Sequence, residues 1–129
     1  NDIILTHDAV RPFVTRDIIN NNIDSALSGK PCTTAVSAVD TILCSENGSV
    51  IDQTLQRKRL YHAQTPQSFR IKAFLDAYGK LTDEQKIELT DTCGVFTGAG
   101  TPVSIVKGDM TNIKITTPFD LKIAEALIK

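Results

Sequence analysis

The sequence has only three cysteines, which are Cys32, Cys44 and Cys93. An odd number at wide spacing indicates neither a disulfide framework nor a C-x-x-C zinc site. Free thiols are typical of a reducing compartment, so we expect a cytoplasmic protein. His7 and His62 do not have the spacing from Asp8 that a local metal triad needs. No local signature beside Cys93 indicates thiol catalysis.

Long apolar runs are also missing, since no stretch approaches the ~20 residues that a membrane-spanning helix needs. The formal net charge is −1, whereas nucleic-acid-binding proteins usually carry a basic excess. The local basic cluster 57–59 is open to two interpretations, a binding patch or a solvated part of a hairpin. G-x-G-x-x-G and Walker A motifs are absent. We expect neither a membrane nor a nucleic acid as a partner.

Strand-like segments alternate with helix-like segments, which favours an α/β fold. Strands are predicted at 2–6, 33–39 and 102–106. Helices are predicted at 15–28, 71–81, 82–89, 90–98 and from 117 onward, and 64–69 is predicted to be a loop fixed by Pro66. The predicted apolar stripes are Ile19, Ile23, Ala26 and Leu27 on the first helix and Leu121, Ala124, Leu127 and Ile128 on the last.

The number of predicted core strands is small for a parallel sheet. The chain also enters its first strand at once, without an entry segment. We therefore expect a fragment, a processed chain or an incompletely described domain.

The segment 41–63 has a different character from the rest of the chain. Two extended stretches, 41–44 and 50–54, flank a turn that contains Asn47-Gly48, which is a strong hairpin signal. The polar residues 56–59 that follow cannot lie in a core. We predict a β-arm that projects from the main body and needs a partner, because paired strands with little core are unstable alone.

A few polar residues stand where they could carry chemistry. Asp8 directly follows the first predicted strand, where open α/β sheets bind ligands, and its carboxylate can hold Mg²⁺. A surface or helix-capping Asp is the alternative. Lys114 lies inside an apolar run, where an unpaired Lys is costly, so we expect it to have a specific partner. The other candidates, which solvation or capping also explains, are the cations Arg11, Arg57 and Lys107 and the hydroxyls Thr65 and Thr90.

Several short stretches together carry a resemblance to a known family. They are His7-Asp8-Ala9-Val10-Arg11-Pro12, Asp40-Thr41, Arg57 ahead of Leu60-Tyr61-His62, Gln64-Thr65-Pro66-Gln67, Thr90-Asp91, and Asn112–Pro118 ahead of Asp120-Leu121. Each is weak alone, but the ordered set resembles the methylerythritol-phosphate cytidylyltransferase superfamily over essentially the whole chain. Residues 6–13, 64–69, 81–91 and 112–121 are most similar to its ribitol-5-phosphate branch, which serves teichoic-acid and capsule synthesis.

The resemblance implies the C-terminal part of a Rossmann-like nucleotidyltransferase domain. The family's glycine-rich, nucleotide-binding N-terminal half is absent from these 129 residues. It further implies that 41–63 is a dimerisation arm in a homodimer. Thr41 and Arg57 on this arm would reach into the neighbouring subunit's site.

The resemblance also implies roles for the remaining candidates. Asp8 would lie at Mg²⁺ and the substrate hydroxyls. The Ala9 backbone and Lys114 would contact the nucleotide, with Lys114 also near the reacting phosphates. The polyol-phosphate pocket would be lined by Arg11, Thr65 and Thr90.

The implied chemistry is in-line attack by a substrate phosphate oxygen on the α-phosphorus of CTP, with pyrophosphate leaving. Since the nucleophile is already anionic, catalysis should come from positioning and charge neutralisation. The expected activity is the formation of CDP-ribitol from ribitol 5-phosphate. The alternatives are the methylerythritol-phosphate enzyme of isoprenoid synthesis and a non-catalytic fragment that only dimerises.

Overall fold

The computed structural model describes all of residues 1–129. In chain order, the elements are β1 (Ile3–Thr6), α1 (Arg16–Leu27), β2 (Cys32–Ser37), β3 (Leu43–Cys44), β4 (Gln53–Thr54), a 3₁₀ turn (Arg57–Arg59), β5 (Tyr61–Arg70), α2 (Ile71–Gly79), α3 (Asp83–Ile87), α4 (Gly94–Gly98), β6 (Ser104–Lys107) and α5 (Pro118–Ile128).

The main sheet has four strands in the order β1-β5-β2-β6. β5 runs antiparallel to both of its neighbours, and β2 and β6 are parallel. Three strands therefore run in one direction, with β5 against them. The predicted α/β class is confirmed, as a mixed sheet with helices on its two faces.

The largest error of the sequence prediction is β5, because 64–69 was expected to be a loop. Proline cannot donate to a strand ladder and is normally confined to edges and bulges. Pro66 is tolerated in this central strand because the pairing with β2 shifts register between Thr33 and Ala35. At that irregularity the Thr34 hydroxyl donates to the Pro66 carbonyl over 2.7 Å.

Helix α1 covers one face of the sheet, with Thr15 as its predicted N-cap and Gly29, at φ +85°, after its end. The predicted stripe is displaced, since the buried positions are Ile18, Asn22 and Ala26. Asn22 can replace an apolar residue there because its amide donates to the Ile18 carbonyl and to the Thr34 hydroxyl, each at 2.9 Å. A buried polar group is tolerated when it is hydrogen-bonded in this way.

The opposite face carries the aromatic core. Phe69 of β5 contacts Phe74 of α2, at a ring-centroid distance of 5.0 Å, and Phe96 of α4, at 5.6 Å, and the latter two rings are 6.1 Å apart. Phe69 and Phe96 form a buried cluster with Ala77, Leu81 and Val95, and Phe74 packs against it partly buried. Helix α3 follows α2 and has the predicted capping box between Thr82 and Gln85.

The hairpin predicted within the arm segment 41–63 is present, as a short antiparallel pair of β3 and β4. Gly48 has φ +76° in its turn, as the Asn-Gly signal predicts, and Asn47 Oδ1 accepts from the backbone amides of Ser49 and Val50. The arm is shorter than expected, because Tyr61–Ala63 already pair with β2 in the main sheet. Val50 and Ile51 are exposed on it.

Helix α5 begins as predicted, with Pro118 in its first turn and a capping box between Thr117 and Asp120. Hydrogen bonds from the Thr116 and Thr117 backbone and hydroxyl groups lower the pKa of the Asp120 carboxyl. Of the predicted stripe only Ala124 is buried, while the other three residues stay exposed within this chain. No helix of the structure is long and apolar enough to cross a membrane.

The aromatic core predicts a large difference between two truncations. Phe96 is 1% exposed, so Phe96→Ala should lower the free energy of unfolding by about 3–5 kcal/mol. Ile87→Ala is the control, because Ile87 is 83% exposed and its loss should cost less than about 0.5 kcal/mol. Urea denaturation of the protein that contains this chain measures both values. Equal losses would contradict the assignment of the core.

Candidate functional site

A polar pocket of about 270 Å³ lies where β1 ends and β5 passes through its irregular region. It receives the segment after β1, the middle of β5, the loop before α4 and the loop after β6. Its lining residues are Asp8, Arg11, Ala63, Gln64, Thr65, Gln67, Thr90, Asp91 and Lys114. The pocket is therefore at the carboxyl ends of β1 and β6, as expected for ligand sites of open α/β sheets.

Asp8 is the electrostatic centre of the pocket. Its Oδ2 accepts from Arg11 Nε at 3.1 Å and lies 3.7 Å from Lys114 Nζ. These are the two ion pairs of the chain. Lys114 thus has the specific partner that its position in an apolar run predicted.

The two cations of this cluster differ in freedom. The Arg11 side chain is 11% exposed, and Nη1 and Nη2 donate to the Asn112 carbonyl at 2.7 Å and the Ala63 carbonyl at 3.4 Å. The Lys114 side chain is 48% exposed and pairs with Asp8 alone. A guanidinium with these bonds is fixed, whereas a lysine ammonium is a mobile point charge. Lys114 is therefore the cation that is free to meet an anion in the pocket.

The segment after β1 is held against β5 by side-chain hydrogen bonds. The Asp8 amide donates to Thr65 Oγ1 at 2.9 Å, and the same oxygen lies 2.9 Å from His7 Nδ1. His7 Nε2 lies 3.0 Å from the Arg11 carbonyl. The imidazole therefore spans its own loop and fixes the loop to Thr65.

Asn112, fully buried, joins the loop after β6 to β5. Its amide donates to the Thr65 carbonyl at 2.9 Å and to Gln64 Oε1 at 3.1 Å. Gln64 in turn donates to the Asp109 carbonyl. Gly108 is required beside them, because a Cβ there would collide with the Gln64 side chain and lie 2.9 Å from Thr34 Cγ2. This network places Lys114, two residues further on.

Gln67 forms the other side of the pocket, and both its amide nitrogen and its amide oxygen are hydrogen-bonded. It donates to Thr33 Oγ1 and Asp91 Oδ2 and accepts from the Cys93 amide. Asp91 Oδ1 accepts from the Gly94 amide, so this carboxylate is fixed at the start of α4. Burial, followed by the charge of Asp91, raises the pKa of the Cys93 thiol to about 12, which makes it a poor nucleophile.

The fit of a divalent cation can be judged from Asp8. Arg11 and Lys114 both approach its Oδ2, and no protein group bonds to its Oδ1. The chain forms no cluster of three or more His, Cys, Asp or Glu side chains that could hold a metal. One carboxylate oxygen suits Mg²⁺, which commonly takes most of its ligands from water and substrate phosphates.

The structure brings five of the predicted site residues together around one pocket, and these are Asp8, Arg11, Thr65, Thr90 and Lys114. Ala9, Thr41 and Arg57 do not line it. Arg57 lies in the 3₁₀ turn that follows the β3–β4 hairpin and donates to the Val39 carbonyl at 3.0 Å. Helix α4 starts at Gly94, so Thr90 precedes it instead of opening it.

Sequence analysis quoted His7, Gln67, Asp91 and Asn112 within the family-like stretches but gave none of them a role in the site. His7 adjoins Asp8 and Asn112 lies two residues before Lys114, and their polarity beside apolar runs was the available signal. The contacts of Gln67 were hidden, because the segment that carries it was assigned to a loop.

The model of the family described as 2-C-methyl-D-erythritol 4-phosphate cytidylyltransferase, IspD, matches residues 1–129. The chain belongs to this family. A ribitol-5-phosphate cytidylyltransferase of Lactiplantibacillus plantarum is 49% identical over 129 residues, which are 100% of this chain and 55% of that protein. The chain thus spans about half the length of this relative.

Solved structures of IspD proteins have the same fold. The 2-C-methyl-D-erythritol 4-phosphate cytidylyltransferase of Thermus thermophilus superposes with a TM-score of 0.84 at 30% identity, covering 97% of this chain and 61% of that one. The 4-diphosphocytidyl-2C-methyl-D-erythritol synthase of Anaerococcus prevotii gives 0.83 at 32% identity, covering 98% and 58%. The predicted resemblance to the superfamily is confirmed.

Removal of the buried Asn112 amide, which lies behind the pocket, is predicted to destabilise the protein. Asn112→Ala leaves the Thr65 carbonyl and Gln64 Oε1 without their donor, and should cost about 1–3 kcal/mol of stability. Asn21→Ala, at an exposed position of α1, should change stability by less than about 0.5 kcal/mol. Thermal and urea unfolding compare the two variants. Equal stability of both would mean that the network does not hold the loop after β6.

Proposed function

We propose that the protein containing this chain transfers a cytidylyl group from CTP to ribitol 5-phosphate and forms CDP-ribitol, a teichoic-acid or capsule precursor. The observation that carries the proposal is the 49% identity with the Lactiplantibacillus plantarum ribitol-5-phosphate cytidylyltransferase over every residue of this chain. The pocket around Asp8 is suited to such a substrate, because it combines a free cation with hydrogen-bonding groups. We place the reaction in the cytoplasm, where CTP is available.

The proposed step is a displacement at the α-phosphorus of CTP. A phosphate oxygen of ribitol 5-phosphate forms a new P–O bond, and the bond from the α-phosphorus to the oxygen bridging to the β-phosphate breaks. Pyrophosphate leaves with that electron pair. The attacking oxygen is already anionic, so no general base is needed, and alignment and charge stabilisation can supply the acceleration.

The roles of the residues follow from their freedom in the pocket. Lys114, half exposed, would contact the reacting phosphates. Arg11 would position the substrate mainly through Asp8 and the loop, because its own donors are largely occupied. Thr65 and Thr90 would contact the polyol, and the Ala9 backbone would contact the nucleotide. The part of the protein that grips the triphosphate would lie outside these 129 residues.

Asp8 would also hold Mg²⁺ through the carboxylate oxygen that has no protein partner. When bound, the cation would neutralise charge on the phosphates. Lys114 beside it keeps the local charge balanced, since it pairs with the other oxygen of Asp8.

We further propose a homodimer in which the arm reaches the neighbouring subunit's site with Thr41 and Arg57. Two observations support this. Arg57, Lys58 and Arg59 form no ion pair within the chain, so three adjacent positive charges are available to an external anion. Each strand of the hairpin in the arm has only two paired residues, and the side chains of Val50 and Ile51 are exposed. Such a short hairpin with exposed apolar residues is expected of a segment that packs against a partner.

A second candidate substrate is 2-C-methyl-D-erythritol 4-phosphate. The family model and the solved relatives are described by that substrate, at 30% to 32% identity for the two structures named above. Both candidates are small polyol phosphates. A chain that only dimerises without catalysis is the third possibility, which the intact cluster of Asp8, Arg11 and Lys114 disfavours.

Pyrophosphate release separates these possibilities. The protein that contains this chain should release pyrophosphate from CTP and Mg²⁺ with ribitol 5-phosphate, and at least about tenfold more slowly with methylerythritol phosphate. Lys114→Ala should lower kcat/KM by about 100-fold, since it removes a charge at the reacting phosphates. Lys122→Ala, at an exposed position of α5, is the control. Turnover of methylerythritol phosphate alone would refute the proposed substrate, and no turnover of either would favour the non-catalytic alternative.

If the arm acts across the dimer interface, two variants that are inactive alone should restore activity when their subunits are mixed. If Arg57 acts in the neighbouring site, Arg57→Ala and Lys114→Ala chains should recover up to about a quarter of the wild-type rate per site after mixing, because statistical exchange leaves some sites intact. The control is Arg57→Ala mixed with the Arg57→Ala/Lys114→Ala double variant, because no pairing of these chains contains an intact site. Subunit exchange is verified by native mass spectrometry. Exchange without recovery would contradict action across the interface.

A further inference from the structure

The hydrogen bonds around His7 determine where its proton lies. His7 Nε2 is 3.0 Å from the Arg11 carbonyl oxygen, and a carbonyl can only accept. Nε2 therefore carries the ring proton. In the neutral ring Nδ1 is then an acceptor, and it lies 2.9 Å from Thr65 Oγ1.

The Thr65 hydroxyl is consequently fixed in direction. Its oxygen accepts from the Asp8 amide at 2.9 Å and its hydrogen is donated to His7 Nδ1. A hydroxyl offers one donor and two acceptor positions. One acceptor position is left, so toward the pocket Thr65 can accept a hydrogen bond but cannot donate one.

The carboxylate of Asp91 beside Thr65 has the same polarity, because a carboxylate is an acceptor only. A second polar cavity of about 240 Å³ opens there and is lined by Thr65 and Asp91, and also by Thr90 and Thr92, whose hydroxyls can donate or accept. A phosphate oxygen placed against Thr65 and Asp91 would meet acceptors, whereas a substrate hydroxyl could donate its hydrogen to either. Lys114 supplies the positive charge on the other side of Asp8.

We infer that His7 is a positioning residue that orients the Thr65 hydroxyl, so that Thr65 accepts a hydrogen bond from a hydroxyl of the polyol phosphate and does not donate to its phosphate. The inference rests on the proposed function and adds to it the direction in which the substrate lies. The polyol hydroxyls lie toward Thr65 and Asp91, and the phosphate lies toward Lys114.

Two substitutions of His7 test its hydrogen bonds to Thr65 and to the Arg11 carbonyl separately. His7→Asn places an amide oxygen near the position of Nδ1 and keeps an acceptor for Thr65. His7→Gln places an amide nitrogen near Nε2, keeps the donor to the Arg11 carbonyl, and leaves the Thr65 hydrogen free. In the protein that contains this chain, His7→Gln should raise KM for ribitol 5-phosphate about tenfold with a smaller change in kcat. His7→Asn should raise it less than about threefold.

Deoxy analogues of ribitol 5-phosphate identify the substrate hydroxyl that Thr65 contacts. With the analogue that lacks this hydroxyl, the KM values of the wild type and of His7→Gln should converge. Melting temperatures of both variants establish that they fold. Equal KM shifts for His7→Asn and His7→Gln in folded proteins would overturn the inference. If His7→Gln does not fold, Thr65→Val and Thr65→Ser serve instead, and an unchanged KM in Thr65→Val would overturn it equally.

Two measurements do not depend on which polyol phosphate is the substrate. The ¹⁵N shifts of His7 at about pH 8, where an ordinary imidazole is neutral, should show a protonated Nε2 and a bare Nδ1. Inorganic phosphate should bind Thr65→Val as tightly as the wild type and bind Lys114→Ala at least about fivefold more weakly. The opposite tautomer, or weaker phosphate binding by Thr65→Val, would overturn the inference. Failure of the wild type to use ribitol 5-phosphate would instead count against the proposed function.

Discussion

The side chain of Arg11 is the interaction on which the site depends, because its guanidinium bonds to three separate segments of the chain. It pairs with Asp8 in its own loop, and it donates to the Asn112 carbonyl after β6 and the Ala63 carbonyl on β5. A rigid planar donor with multiple N–H groups can make these bonds together, which a lysine could not. Arg11 thereby fixes Asp8 and brings the loop that carries Lys114 to the end of the sheet.

The elements that local signals encode were predictable from the sequence. The caps at Thr15, Thr82 and Thr117 and the Gly48 turn are set by residues within a few positions of each other, and all four are present. Strand β5 was not predictable in this way. Its Pro66 argues locally for a loop, and only the tertiary contact with Thr34 and the register shift on β2 make a central strand possible.

The residues of the site also divide into those that the local sequence identifies and those that only tertiary contacts place. Asp8 and Lys114 were predictable because each stands at an informative place, a strand end and an apolar run. Gln67 and Asn112 act through partners that are 24 to 48 residues away in sequence, so no local pattern reveals them. The displaced stripe of α1 has the same cause. Asn22 counts as polar in the sequence and is buried because Thr34, 12 positions away, satisfies its amide.

The arrangement of charge explains how the proposed reaction could proceed with few catalytic groups. Asp8 lies between two cations, of which Arg11 is enclosed by the fold and Lys114 remains accessible. The fixed cation holds the carboxylate in place without competing for ligand, and the accessible one stays free for an anion. In the proposed reaction the nucleophile is anionic and requires alignment more than proton removal, so the fold would contribute most by restricting these groups. The buried network behind the pocket supplies that restriction, because each of its polar side chains is held by atoms from a different part of the chain.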